Sequence, residues 1–272
     1  MKRLVLAIAI LVTARAAAAD PPHAFRVDVS GEGRPIVLIP GLGCPGTVWQ
    51  ATVAHLGHGW QAHVVTLAGF AGEPPLPAGQ PLIATARDQL GAYIRDHHLD
   101  HPVIVGHSLG ATLAYALAEA FPDLVGPVVA IDGVAFLGAG RAAARTERGD
   151  LLAGDRARFT EQVRELFAPM FGNAKVGAAV IADVVKSDRR AFADALYELM
   201  MLDLRHDMTR ITAPVLALVA DGPFAAEISR QAALAPHHEV HVIAKTRHFV
   251  MLDAPDATFR ALDAFLAAHP PS

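Results

Sequence analysis

Val103-Ile104-Val105-Gly106-His107-Ser108-Leu109-Gly110-Ala111 is the stretch that decides the fold. An apolar, β-branched run stops at Gly106. Ala/Leu-rich sequence with helical periodicity starts after Gly110 and reads as helix to Phe121. Between strand and helix lies G-x-S-x-G, a serine with glycine two residues to either side. A strand turning this sharply into a helix strains the serine backbone, and a Cβ at either flanking position would strike neighbouring chain. The turn lifts the Ser108 hydroxyl out of the sheet edge. It also sets the Leu109 amide at a helix N-terminus, where developing negative charge is favoured.

Outward from this stretch, buried strands alternate with helical segments. Pro35-Ile36-Val37-Leu38-Ile39-Pro40 is an unbroken apolar run of the kind found in parallel central strands. His63-Val64-Val65-Thr66-Leu67, Val128-Val129-Ala130-Ile131-Asp132, Ala213-Pro214-Val215-Leu216-Ala217-Leu218-Val219-Ala220-Asp221 and a short His241-Val242-Ile243-Ala244 also read as strands. Before them, Phe25-Arg26-Val27-Asp28-Val29 alternates and is turned by Gly31-Glu32-Gly33. Helices are expected from Pro45-Gly46 to about Leu56, over 83–97 and over 254–268. The alternation predicts an α/β fold with a mostly parallel sheet and helices on both faces. Residues 133–211 interrupt it with a helical insertion containing a polar linker over 141–155.

Gly41-Leu42-Gly43-Cys44-Pro45-Gly46 is a literal G-x-G-x-x-G between a strand and a helix, the pattern of a dinucleotide site. Such a site needs an acid at the end of the next strand, and neither Leu67 nor the loop to Gly72 supplies one. Pro45 also removes an amide where a pyrophosphate needs donors. The sequence therefore argues against a nicotinamide oxidoreductase.

With G-x-S-x-G around Ser108, the 36–43 strand and loop, Leu67-Ala68-Gly69-Phe70-Ala71-Gly72, and Arg247-His248-Phe249 near the end, the chain resembles the α/β-hydrolase superfamily from about residue 34 to 266. The resemblance implies a cap over the active site at 133–211. There Phe159, Phe167, Met170, Phe171, Leu199, Met200 and Met201 would either line an apolar acyl pocket or hold the helices together. It makes Ser108 the nucleophile, and the backbone amides of Leu42 and Leu109 the oxyanion donors. A serine hydroxyl is a poor nucleophile without a base. The resemblance assigns that role to His248, in the loop after the last strand. Lys245-Thr246-Arg247 stand before it where glycines are common. The third member, an acid that orients the imidazole, is either Asp132, at a strand end 24 residues after the serine, or Asp221, one residue past Ala220. Most members of the resembled superfamily carry the acid a few residues into the loop after Ala220, where Asp221 comes too early, and a minority carry it where Asp132 stands, so the resemblance favours Asp132.

The implied reaction is acyl transfer through an acyl-enzyme on Ser108, with an apolar small-molecule ester as substrate and no metal or organic cofactor. Lactones, thioesters, amides and carbon–carbon bonds are alternatives on the same scaffold. A different class, a non-catalytic ligand-binding protein, is disfavoured by the presence of both Ser108 and His248.

At the N-terminus, Lys2 and Arg3 precede nine apolar residues (4–12) and an alanine stretch (16–19) ahead of Asp20. That order predicts a secretory signal over 1–19, too short in its apolar part to span a bilayer, and a periplasmic or secreted bacterial protein. Loss of the signal removes Lys2, Arg3 and Arg15 from 23 basic residues and none from 27 acidic ones, leaving a net charge of −7. No basic surplus remains for nucleic acid. The single cysteine, Cys44, excludes an intrachain disulfide. Hydrophobic residues make up 53% of the chain, enough to bury a large core around one domain, 20–272.

Overall fold

Uninterrupted apolar strands need cover on both faces, so the runs at 36–39, 103–105, 128–131 and 215–220 belong in the middle of a sheet. A computed structural model of the chain describes residues 22–271 and puts them there. The expected leader, 1–19, lies outside the described residues.

β1 (Phe25–Gly31) and β2 (Gly33–Ile39) are separated only by Glu32, yet they are not neighbours. β3 (Gly59–Leu67) lies between them, antiparallel to β1 and parallel to β2. β4 (Val103–His107), β5 (Val128–Ile131), β6 (Val215–Ala220) and β7 (His238–Ile243) continue the sheet in parallel, giving the order β1-β3-β2-β4-β5-β6-β7. Every residue of β4, β5 and β6 is buried. β7 starts three residues before the expected strand. It is an edge strand of mostly exposed residues, and its first half, His238-Glu239-Val240, holds a single apolar residue.

α1 (Gln50–Leu56) joins β2 to β3, α2 (Leu82–Asp96) joins β3 to β4, and α3 (Leu109–Ala120) joins β4 to β5. The chain thus steps one way along the sheet after β2 and the other way after β3. Right-handed crossovers then put α1 on one face and α2 and α3 on the other. Between β2 and β4 the two outgoing loops part, which opens a crevice at the carboxyl ends of the strands, where open α/β sheets bind ligands.

Between β5 and β6 come α4 (Gly140–Leu152), α5 (Arg156–Phe167), α6 (Ala174–Val184) and α7 (Arg189–Met201). The polar linker expected over 141–155 is for the most part α4. Ala144 and Leu151 are its buried stripe, and Arg148 reaches Asp194 of α7 at 2.5 Å, so few apolar residues suffice. Asp155, Asn173 and Asp188 cap α5, α6 and α7 through their side chains. Phe159 and Phe192 are fully buried and meet edge to face, with centroids 5.5 Å apart; Phe167, Phe171 and Leu199 join the same core. These side chains hold the insertion together. α8 (Ala225–Ala232) links β6 to β7, and α9 (Val250–Asp253) and α10 (Pro255–Ala268) close the chain.

The insertion is fastened to the loops at the carboxyl edge. Ser187 donates to the Gly43 carbonyl and accepts the Ala71 amide, while the Asp188 amide donates to the Gly69 carbonyl. On the far side of α7, Glu198 accepts the amides of Ile83 (2.9 Å) and Ala84 (3.1 Å) in the first turn of α2, whose own N-cap, Pro81, offers no side-chain bond.

Candidate active site

β4 runs into α3 with only Ser108 between them. The reversal forces Ser108 to φ 54°, ψ −120°, a conformation that costs an ordinary L-residue about 1–3 kcal/mol. Its amide is held by the Ile131 carbonyl at 2.9 Å. The flanking glycines are required by space. A Cβ at Gly106 would lie 2.1 Å from the Gly110 carbonyl oxygen, and one at Gly110 would lie 2.2 Å from the carbonyl oxygen of Ile39. That second contact brings the start of α3 against the end of β2, so Ser108 and the 41–44 loop share the crevice.

In that loop the Cys44 amide donates to the Gly41 carbonyl at 3.1 Å, closing a tight turn with Gly43 at φ +69°. The amides of Leu42, inside the turn, and Leu109, first in α3, make no hydrogen bond to another of the described residues. Two unspent donors therefore sit on the two loops that meet at Ser108. Phe192 and Val184 cover the turn on its other side, 2.7–2.8 Å from where a Cβ at Gly43 would stand. Cys44 is fully buried, and burial pushes its thiol pKa far up, so it is no competing nucleophile.

His248 lies in the loop after β7, and its Nδ1 is 2.6 Å from Oδ2 of Asp132. Asp132 ends β5 at φ +46° and is 8% exposed; its Oδ1 accepts the Ala220 amide at 2.9 Å from the neighbouring strand. Both carboxylate oxygens are thus engaged, which fixes the plane of the group toward the imidazole. Asp221 is exposed and turns elsewhere, accepting the Lys245 amide at 3.3 Å. Of the two aspartates singled out in the sequence, Asp132 meets His248 and Asp221 does not.

A family model described as the alpha/beta hydrolase family matches residues 36–261. The chain belongs to this family. A pimeloyl-[acyl-carrier protein] methyl ester esterase of Vibrio cholerae serotype O1 is similar to this hydrolase at 26% identity, over 87% of this chain and 96% of its own. Among solved structures, a thermophilic esterase from Thermogutta terrifontis superposes with TM-score 0.81 at 19% identity, covering 90% of this chain and 94% of its own. The enol-lactonase from Burkholderia xenovorans LB400 does so with TM-score 0.79 at 18% identity, covering 89% and 96%. At these identities the two structures establish the shared fold.

Three features of the site in this hydrolase had no signal in the sequence. The Nε2–H of His107 donates to the His248 carbonyl at 3.0 Å. Asp253 accepts the Arg247 amide (2.8 Å) and the Gly172 amide (2.9 Å), tying the His248 loop to the insertion. Phe249 stacks on Phe171 with ring centroids 4.0 Å apart. Except for the short step from Arg247 to Asp253, each joins residues far apart in the chain, where periodicity and spacing carry no information.

Proposed function

We propose that this α/β hydrolase cleaves carboxylic esters through an acyl-enzyme on Ser108, with His248 as general base and acid and Asp132 as the orienting carboxylate. The observation that carries the reading is the 2.6 Å bond from His248 to a buried, doubly engaged Asp132, beside a serine held in a strained turn. With Nδ1–H committed to Asp132, the neutral tautomer of His248 has a bare Nε2, the nitrogen this reading assigns to the Ser108 proton. As Ser108 Oγ bonds to the ester carbonyl carbon, its proton passes to His248 Nε2 and the carbonyl π pair moves onto oxygen. The Leu42 and Leu109 amides receive that oxyanion, and Asp132 stabilises the imidazolium. Collapse of the tetrahedral intermediate breaks the bond to the alkoxy oxygen, which leaves as alcohol with the proton from His248. Water, deprotonated by His248, then attacks the acyl-enzyme and releases the acid by the same steps.

The esterase name of the Vibrio relative supports ester bonds over other acyl bonds. We also propose that the protein acts outside the cytoplasm, after removal of residues 1–19. A fluorophosphonate probe tests the nucleophile. It should label Ser108 alone, and Ser108→Ala should lose both labelling and ester hydrolysis. Labelling that persists in Ser108→Ala, or a wild type that neither labels nor turns over any acyl ester, would favour a ligand-binding protein on this scaffold.

A further inference from the structure

His107 is fully buried, and among the described residues its side chain makes a single hydrogen bond, to the backbone carbonyl of His248. A carbonyl only accepts, so Nε2 must carry the proton. Nδ1 is then a bare lone pair, and among the described residues it has no partner. It faces the 41–44 loop, 3.0 Å from the place a Cβ at Gly41 would occupy. Burial, with the neighbouring His248 ring, holds the His107 pKa well below its ordinary value, so the ring stays neutral. A leucine or phenylalanine would fill the same space without leaving a buried acceptor unpaired. What histidine adds at this position is one N–H, and that N–H is spent on His248.

We propose that His107 is a positioning residue for His248, and this rests on the acyl-enzyme reading above. His107 is the last residue of β4, directly before Ser108. Its ring lies 4.7 Å from the His248 ring and 4.5 Å from the Phe249 ring, centroid to centroid. The His248 loop is therefore gripped at separate points. Asp132 holds the imidazole, Asp253 holds the Arg247 amide, and His107 holds the carbonyl of His248 itself. Of the three, only His107 belongs to the element that carries Ser108. Its bond sets the height of the His248 peptide above the serine, so the distance over which the proton travels is referenced to the end of β4. A misplacement of about 1 Å in such a pair is worth about 10²-fold in rate.

The test compares His107→Gln, whose side-chain amide keeps an N–H donor at similar reach, with His107→Leu, which keeps volume alone. Steady-state hydrolysis of p-nitrophenyl acetate should show kcat falling about tenfold to a hundredfold in His107→Leu with KM nearly unchanged. His107→Gln should recover most of that loss, and the rate of fluorophosphonate labelling at Ser108 should follow kcat. A merely structural role would lower the melting temperature of both variants without separating their kcat values. His107→Leu within twofold of wild type, or no better turnover in His107→Gln than in His107→Leu, overturns the proposal. Should the leucine variant not fold, ¹⁵N-histidine spectra of the wild type decide. His107 should show a protonated Nε2 and a bare Nδ1 unchanged from pH 5.5 to 8.5, and the opposite tautomer or a titration in that range refutes the role. If Ser108→Ala retains full hydrolysis, the acyl-enzyme reading itself is wrong. If Ser108→Ala is inactive and His107→Leu is not impaired, only the positioning role is lost.

Discussion

Asp132→Asn changes one carboxylate oxygen to an amide nitrogen and almost nothing in volume. The Ala220 amide, 2.9 Å from Oδ1, needs an acceptor, so the new side-chain oxygen keeps that place. The NH2 group is then left facing Nδ1 of His248 across 2.6 Å. Two N–H groups cannot share that space, so Nδ1 gives up its proton and Nε2 takes it. A neutral imidazole protonated at Nε2 cannot receive the Ser108 proton, and the stabilising charge beside the imidazolium is lost as well. In a serine protease the same change costs about 10⁴ in kcat, which is about 5 kcal/mol of transition-state stabilisation. We expect kcat for acyl esters to fall by about two to four orders of magnitude in Asp132→Asn, with a cooperative melt close to that of the wild type. Asp221→Asn can keep the 3.3 Å contact to the Lys245 amide through its side-chain oxygen and loses only a charge on an exposed loop, so it should change kcat by less than about tenfold. Steady-state kinetics of both variants beside their melting curves make the measurement. A large loss in Asp221→Asn with Asp132→Asn near wild type would refute the geometric argument.

Glu198→Ala leaves the Ile83 and Ala84 amides of α2 without their acceptor, and should destabilise the fold by about 1–3 kcal/mol, roughly 2–10 °C in melting temperature. A melt unchanged within 1 °C would show that water replaces the cap at no cost. For pH, the folded state keeps His107 neutral while the unfolded chain protonates it below its ordinary value of 6.5, so the unfolded state binds the extra proton. Stability should accordingly fall as pH drops below about 6.5, by up to about 1.4 kcal/mol per pH unit for this group. Urea midpoints at pH 7.5 and 5.5 should therefore differ more in the wild type than in His107→Leu, and an equal difference would count against the assignment. Intact mass of protein recovered from the periplasm or medium should begin at Asp20, and a cytoplasmic chain retaining residues 1–19 would contradict export.

Much of the sheet could be read from the chain because its central strands are buried on both faces and are written as continuous apolar runs. β7 was visible only at its end, since an edge strand needs no such run. α4 was mistaken for a linker because its buried stripe is only two residues, Ala144 and Leu151, with an ion pair to α7 for the rest, too sparse to stand out in a polar segment. At the site, Ser108 and its glycines were legible because a tight turn restricts local residue types. The choice between Asp132 and Asp221 was a matter of spacing alone until the sheet register set β5 and β6 side by side and gave Asp132 the Ala220 amide. His107 gave no such sign, since its N–H acts on a residue 141 positions away.

The bond from Glu198 to the first turn of α2 has a thermodynamic meaning beyond its strength. A helix normally begins with its own cap, so its stability is a local property. Here α2 borrows a side chain from the last helix of the insertion. The insertion cannot come loose as a unit without fraying the start of a core helix, and fraying of α2 costs α7 its Glu198 contacts. Hydrogen exchange at Ile83 and Ala84 should follow the same opening free energy as the amides of α7. Substrate admission by swinging the whole insertion aside would have to break this bond and the Ser187 and Asp188 bonds together. Exchanging insertions between relatives would carry the same constraint, because a donor without a carboxylate at this position would arrive with α2 uncapped.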